Sequence, residues 1–322
     1  SLGEGGLDET CTQSQISLGS SDVGPYAKGF RQAYRIQNGN QTSGAGATDF
    51  IRFEYRLEAQ DIANSGWDYT NSNSKISLQF WIRSSVAQNF YFIVNSTDGT
   101  ARSFPMETGS LSAGTWTKVT KTISGDSSLT FDNNNETGLT IFFYLYLGTS
   151  YANNSVSLNA WKNVANPQTP TNTTTWFTTN DATWDITGLQ LEVGSTATDF
   201  EHRSYGHELY LCQRYLELVK VSYYYATGVY EGSGNPRIPL HWNVEKRATP
   251  TITLPTIGTS AGQLQVVNSG GAWDTGNNNL AANYQTTTFC RLEGSSYGGG
   301  SGENCSMYYN GTNGSIQIHA EL

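Results

Sequence analysis

Apolar and polar residues alternate with a period of two in short runs along the first 200 residues, and polar turns separate these runs. In the run 76–83 every second residue is large and apolar, from Ile76 to Ile82, as in a strand with one buried face. The run 90–94 is apolar throughout, which is typical of a strand buried on both faces. Such runs predict strands at 30–36, 50–57, 76–83, 90–94, 115–123, 139–147 and 182–193, with a bulge where Trp116 and Val119 fall out of phase.

The connections between these strands are long and rich in Asn and Thr. About eight strands with such connections predict a two-sheet sandwich of the jelly-roll type. A barrel of similar strand count is the alternative.

The period changes to that of a helix after residue 204. Leu209, Cys212, Leu216 and Val219 share one face at helical spacing, and Ser204 is a residue type that caps helices. The period of two then returns and predicts strands at 221–226, 237–244, 251–254, 263–267, 286–292 and 314–320. The predicted fold class is therefore all-β: a jelly-roll β-sandwich over 1–201, one linking helix over 202–220, and a smaller distal β domain over 221–322.

Charge narrows the classes of partner. The 322 residues include 18 basic and 27 acidic ones, which gives a net charge of −9. We expect no nucleic-acid partner, because no basic stripe is present to neutralise phosphates. The longest apolar run, 139–147, is about half as long as a membrane-spanning helix, so we expect no membrane insertion.

The chain opens on Ser1 without a Met, which indicates a piece cut from a longer protein.

The four cysteines are too few and too scattered for a disulfide scaffold. Two interpretations stay open for Cys290 and Cys305. They pair across the glycine-rich segment between them, or they are buried thiols.

The segment 184–215 carries a long motif. It reads WDITGLQLEVG at 184–194, ATDFEHRSYG at 197–206, EL at 208–209 and CQRY at 212–215. This motif resembles a signature of tail-fibre and spike proteins of tailed phages, notably those of marine bacteria. Segments at 58–67, 109–118, 246–251 and 320–322 resemble the same proteins, so the resemblance spans nearly the whole chain.

The resemblance implies a carbohydrate-binding-module-like jelly roll, a linking helix and a distal β domain in a virion tail appendage that acts at the host cell surface. It also implies a homotrimer that contacts other virion tail proteins. The resemblance implies no catalytic motif and no cofactor. The motif residues, for which it implies structural roles, are Gln190, Glu192, Gly194, Phe200, Glu201, His202, Arg203, Ser204, Tyr205, Glu208, Cys212 and Arg214.

Aromatic residues are the best candidates for contact with a host surface glycan, because their flat faces stack on sugar rings. In the sandwich, Trp161 and Trp176 lie among Asn, Thr and Pro, where loops are expected. In the distal domain the candidates are Tyr223, Tyr225, Tyr230, Trp242, Trp273 and Tyr297. Core packing, or the packing of a trimer tip, is the alternative role for all of these residues.

Motifs of hydrolases are weak in this chain. Residues 294–298 match G-x-S-x-G, but in a Gly/Ser-rich loop rather than at a strand-to-helix turn. Asp61, Asp185 and Glu192 are ordinary carboxylates without a distinguishing spacing for glycoside cleavage. A structural calcium ion stays open, because oxygen ligands are plentiful and no D-x-D-x-D spacing marks a site.

Three functions follow as hypotheses. The first is a receptor-binding tail-fibre protein that binds host glycan without catalysis. The second is a polysaccharide depolymerase on the same appendage, and the third is a purely architectural virion protein.

Overall fold

The fold is given by a computed structural model, which describes residues 1–232, 234–258, 260–268, 273–274 and 279–321. The chain divides into two compact units, Ser1–Glu201 and His202–Leu322. Both units consist of antiparallel sheets with few and short helices, so the predicted all-β class is confirmed.

The first unit is a sandwich of two sheets. Six strands form one sheet in the order β1-β4-β9-β6-β7-β10, and five form the other in the order β2-β3-β11-β5-β8. The strands are β1 Leu2–Gly5, β2 Thr12–Ser17, β3 Gln32–Gln37, β4 Phe50–Glu58, β5 Lys75–Ser84, β6 Asn89–Ser96, β7 Arg102–Ser110, β8 Thr117–Ser124, β9 Thr137–Leu147, β10 Lys162–Asn163 and β11 Thr183–Val193. The short helices are α1 Ala59–Ala63 and α2 Thr175–Thr178.

Aromatic rings hold the two sheets together. Phe143 on β9 lies 5.1 Å from the ring of Phe80 on β5 and 5.8 Å from that of Trp184 on β11, measured between ring centroids. Phe92 stacks on Phe143 within the six-stranded sheet at 5.6 Å. All four side chains are buried, as the alternation of their strands predicts.

The predicted bulge near Trp116 is wrong, and the sheets are irregular at other positions. The pairing of β5 with β8 runs without a register shift, and Trp116 precedes β8. Pairings of β4, β6 and β11 shift instead, and the shift in β11 lies between Thr187 and Gln190. Gly188 at this shift has φ +63°, and a Cβ atom there would lie 2.5 Å from the ring of Phe30. The motif therefore needs glycine at this position for both conformation and space.

The second unit is one sheet with a short helix before it. Its elements are α3 Tyr205–Gln213, β12 Leu216–Tyr230, β13 Pro236–His241, β14 Thr251–Thr253, β15 Leu264–Asn268, β16 Trp273–Asp274, β17 Ala281–Asn283, β18 Phe289–Glu293 and β19 Asn304–His319. The strand order is β16-β15-β19-β12-β13-β18-β17, and β14 also pairs with β19. Its core includes Ile238, Leu292, Met307, Cys290 and Cys305.

The predicted helix over 202–220 is too long. Ser204 does cap it, because its hydroxyl accepts from the His207 N–H at 3.4 Å, but the helix ends at Gln213. From Leu216 the chain is a strand that buries alternate residues, Glu217, Val219 and Val221. The apolar spacing there fits a helix and a strand equally, and pairing with β19 decides for the strand.

No helix in the described part of the chain is both long and apolar enough to span a lipid bilayer.

Candidate functional site

The motif residues of β11 hold the chain segment that follows the strand. The Glu192 carboxylate accepts from the Thr198 N–H at 2.8 Å and from its hydroxyl at 2.7 Å, and Gln190 accepts from the Glu201 N–H at 2.9 Å. Burial favours the neutral acid, but these hydrogen bonds outweigh it and lower the pKa of Glu192. Gln190 and Glu192 therefore have structural roles in the first unit.

The end of this segment packs on the five-stranded sheet. The Phe200 ring meets the Phe30 ring edge to face at 4.8 Å, and the Gly194 N–H donates to the Lys75 carbonyl at 2.8 Å. Phe200 and Gly194 of the motif thus anchor the segment at its two ends.

Residues at the end of the motif and beyond it form a clasp in the second unit. We use the word clasp for Gln213, Glu217, Lys246, Arg247 and Ala320. The Lys246 ammonium donates to the Glu217 carboxylate and to the Gln213 carbonyl, both at 2.5 Å. Arg247 donates to the Ala320 carbonyl at 2.8 Å. The clasp joins the end of α3 to two segments that lie far apart in the sequence.

The remaining motif residues lie in α3 or directly beside it in the sequence. The Arg214 carbonyl accepts from the Arg247 N–H at 3.2 Å, and Arg203 forms an exposed ion pair of 3.6 Å with Glu208. The exposed motif residues of this segment are Glu201, His202, Arg203, Ser204, Tyr205, Glu208 and Cys212.

Asp185 is part of an ion-pair network rather than a candidate acid. Its buried carboxylate accepts two hydrogen bonds from Arg35, at 2.7 and 2.9 Å, and two from Arg83, at 2.9 and 2.8 Å. Arg83 also contacts Asp22 at 2.7 Å. Among the described residues, no group of three or more His, Cys, Asp or Glu side chains is placed to hold a metal ion.

Four of the predicted glycan contacts are buried and cannot present a ring face to a sugar. Trp176 is 0% exposed, because α2 turns it into the sandwich core, where its indole N–H donates to the Thr183 carbonyl at 3.1 Å. Tyr230, Trp242 and Tyr297 belong to the core of the second unit. For these four the predicted contact role is wrong, and core packing is what the structure shows.

Two further predicted contacts have different outcomes. Trp161 is half-buried, with its indole N–H on the Ser124 carbonyl at 2.6 Å and its ring against Phe104 at 5.2 Å. Most of its ring therefore packs against the sandwich. The side chain of Trp273 lies outside the described residues.

Tyr223 and Tyr225 are exposed, and the structure groups them with Tyr224 and Tyr308. We call these four residues the tyrosine cluster. The exposed fractions of Tyr223, Tyr224 and Tyr225 are 53%, 64% and 39%. The Tyr308 ring lies 6.0 Å from that of Tyr223 and 5.2 Å from that of Tyr224.

Two register shifts create this cluster. The pairing of β12 with β19 shifts between Val221 and Tyr223 and again between Tyr224 and Ala226. Tyr223 has φ +46°, a backbone conformation that costs a bulky residue about 1–3 kcal/mol. Residues 217, 219 and 221 are buried, so a regular strand would turn Tyr223 and Tyr225 toward the core, and the shifts are what expose three successive tyrosines.

The cluster offers flat aromatic surface with hydroxyl groups at its rim. Burial, and then the charge of Glu217, raise the pKa of Tyr225, so this phenol is neutral at physiological pH and can donate a hydrogen bond. Tyrosines bind ligands with little loss of side-chain entropy. The sequence shows all four tyrosines in a dense aromatic set, but only Tyr223 and Tyr225 were predicted as contacts; the run of three tyrosines at 223–225 was the signal for Tyr224.

No protein-family model and no curated protein matches the chain. Among solved structures, a family 11 carbohydrate-binding module from Clostridium thermocellum is similar at 12% identity, over 62% of this chain and 90% of that one, with a TM-score of 0.28. An exo-beta-agarase is similar at 9% identity, over 84% and 41%, with a TM-score of 0.31. The CBM22-1–GH10 modules of a Clostridium thermocellum xylanase, complexed with xylohexaose, match at 8% identity over 63% and 27%, with a TM-score of 0.28. At these TM-scores the likenesses add nothing to what the strand order itself shows.

Proposed function

We propose that this chain is a non-catalytic, glycan-binding protein of a phage tail appendage, and that the tyrosine cluster holds a glycan of the host cell surface. The observation that carries the proposal is the exposure of Tyr223, Tyr224 and Tyr225 together on one strand. Exposed aromatic groups of this size are unusual on a surface that has no ligand. The resemblance to tail-fibre proteins supports the virion context.

The test is binding of the intact chain to a printed array of bacterial and algal surface oligosaccharides. We expect selective binding to a small group of glycans. Tyr224→Ala is expected to weaken it tenfold or more, about 1.4 kcal/mol, because truncation removes a central aromatic contact. Tyr284→Ala is the matched control, since Tyr284 is 67% exposed but follows the edge strand β17 and stacks under Arg291 instead.

Three results would contradict the proposal. Equal binding by the wild type and Tyr224→Ala would exclude the cluster as the contact surface. A blank array would favour the architectural hypothesis. Release of reducing ends from a bound polysaccharide would favour the depolymerase hypothesis.

The proposal includes self-association into a homotrimer and contact with other tail proteins. Three copies of one weak site raise the avidity for a repetitive surface glycan. Light scattering coupled to gel filtration is expected to give three times the chain mass of 35.2 kDa. A monomer at every concentration tested would contradict this part of the proposal.

A further inference from the structure

Gln265 lies beside the tyrosine cluster, on the other side of β19. In the register of the sheet, Gln265 on β15 is directly opposite Tyr308, and Tyr308 is directly opposite Tyr224 on β12. Directly opposed residues of antiparallel strands point to the same face of a sheet. The three side chains therefore form one row across three strands, on the face that carries Tyr224 and Tyr308 of the cluster.

The neighbours of Gln265 confirm its direction. Leu264 and Val266 are buried in the core of the second unit. Because side chains alternate along a strand, Gln265 between them points away from that core. It thus belongs to the face of the cluster and not to the hydrophobic interior.

Within the described chain, the amide of Gln265 is buried without a hydrogen-bond partner. The residue is 3% exposed, and neither Oε1 nor Nε2 has a hydrogen-bond partner among the residues that the structure describes. Buried polar side chains in proteins are nearly always hydrogen-bonded, because water has been lost and nothing replaces it otherwise. A donor and an acceptor are therefore held ready on one planar group, at the edge of an aromatic surface.

We propose that Gln265 is the specificity-determining residue of the tyrosine cluster, and that its amide binds two neighbouring hydroxyl groups of a pyranose ring. This inference rests on the proposed function. One hydroxyl oxygen accepts from Nε2, and the adjacent hydroxyl donates to Oε1. The sugar reaches the amide beside the partly exposed Tyr308, whose ring turns aside, while the Tyr224 ring covers the apolar face of the sugar.

The vicinal diol is the class of ligand that matches this amide. An amide presents a donor and an acceptor side by side, and each sugar hydroxyl can serve as either. A monodeoxy sugar would leave one amide atom buried and unpaired after binding. Sites built to hydrogen-bond a hydroxyl reject analogues that lack it much more strongly than apolar pockets reject a missing methylene.

The experiment combines one variant with a panel of sugars. The probes are the methyl glycosides of glucose, galactose and mannose and their monodeoxy derivatives, titrated into the intact chain by NMR. For the wild type we expect the preferred glycoside to bind at least tenfold more tightly than one of its monodeoxy derivatives. For Gln265→Met, which keeps the volume and removes the amide, we expect at least tenfold weaker binding and no preference for the diol.

Stability separates a ligand-binding amide from a structural one. Exchanging an unpartnered amide for a thioether of similar shape is expected to leave the urea midpoint unchanged or raised. Gln317→Met is the matched control, because Gln317 is exposed on β19 and bonds only to the His319 ring in the described chain. We expect it to change neither the urea midpoint nor the sugar binding.

Two results would overturn the inference. The first is a wild type that binds diol and deoxy glycosides alike, a comparison that needs no variant to fold. The second is a Gln265→Met chain with a lower urea midpoint and an unchanged sugar preference. If instead Tyr224→Ala binds the array glycans as well as the wild type does, the proposed function itself fails.

Discussion

Replacing Lys246 by methionine is expected to destabilise the second unit by about 3–5 kcal/mol, the usual result of breaking a buried ion pair on one side. Lys246 and Glu217 are both fully buried, with 2.5 Å between Nζ and Oε2. Among the residues that the structure describes, Glu217 then keeps the Asn243 N–H at 3.2 Å and the Asn243 side-chain amide at 2.7 Å as its partners. The Gln213 carbonyl loses its bond to the ammonium group as well.

Urea unfolding followed by hydrogen exchange of peptides from each unit measures this effect. We expect the lower midpoint in peptides of 202–321 and little change in peptides of 1–201. Lys220→Met is the control, because Lys220 is exposed on the same strand as Glu217, and we expect a change within about 0.5 kcal/mol. A cost below about 1 kcal/mol for Lys246→Met would refute the reasoning that a buried, unpaired carboxylate dominates.

Three further changes test the first unit. Asp185→Asn removes the carboxylate between two guanidinium groups and should lower the free energy of unfolding in urea by about 3–5 kcal/mol. Asp199→Asn is the control, because Asp199 is 87% exposed in its ion pair, and it should cost less than about 1 kcal/mol. Equal costs would contradict the network. Glu192 has a pKa below its ordinary 4.5, so its stabilisation is present above that pH and is lost as the pH falls through the lowered pKa. Glu192→Gln should therefore reduce the loss of unfolding free energy between neutral and acid pH by less than about 1 kcal/mol. An unchanged loss at acid pH would count against the hydrogen bonds to Thr198. Gly188→Ala should lower the thermal midpoint, because the new Cβ meets the Phe30 ring, and an unchanged midpoint would contradict the contact.

The strands that sequence predicted well are those whose burial follows a simple period. The run 76–83 lies within β5, Lys75–Ser84, and the run 182–193 matches β11, Thr183–Val193. In β5 the apolar residues at every second position belong to the sandwich core, so local pattern and tertiary packing agree. β11 has the predicted bounds although its register shifts between Thr187 and Gln190.

The strands that sequence missed have little apolar character of their own. β2, Thr12–Ser17, reads TQSQIS and is mostly exposed, and its pairing with β3 makes it a strand. β7 contains Pro105, and a proline within an apolar run argues against a strand there. The proline is tolerated because β7 has only the two-residue β10 on its far side.

The candidate site shows the same limit. Trp176 lies in a polar, loop-like stretch, and only the packing of α2 against the core shows that it is buried. Tyr223 and Tyr225 are exposed because the register shifts twice, and Gln265 joins the cluster through pairing with a strand more than 40 residues away in the sequence. Pairings between distant segments are not encoded in the local pattern on which sequence reasoning depends.

The most direct test of glycan binding by the tyrosine cluster is an NMR titration of the chain with ring-labelled tyrosine. The titrant is the glycan that gives the strongest signal on the array. We predict that the ring signals of Tyr223, Tyr224, Tyr225 and Tyr308 shift on binding, while those of Tyr144 and Tyr146, buried in the sandwich, do not. Unmoved cluster signals at saturating glycan would contradict the account.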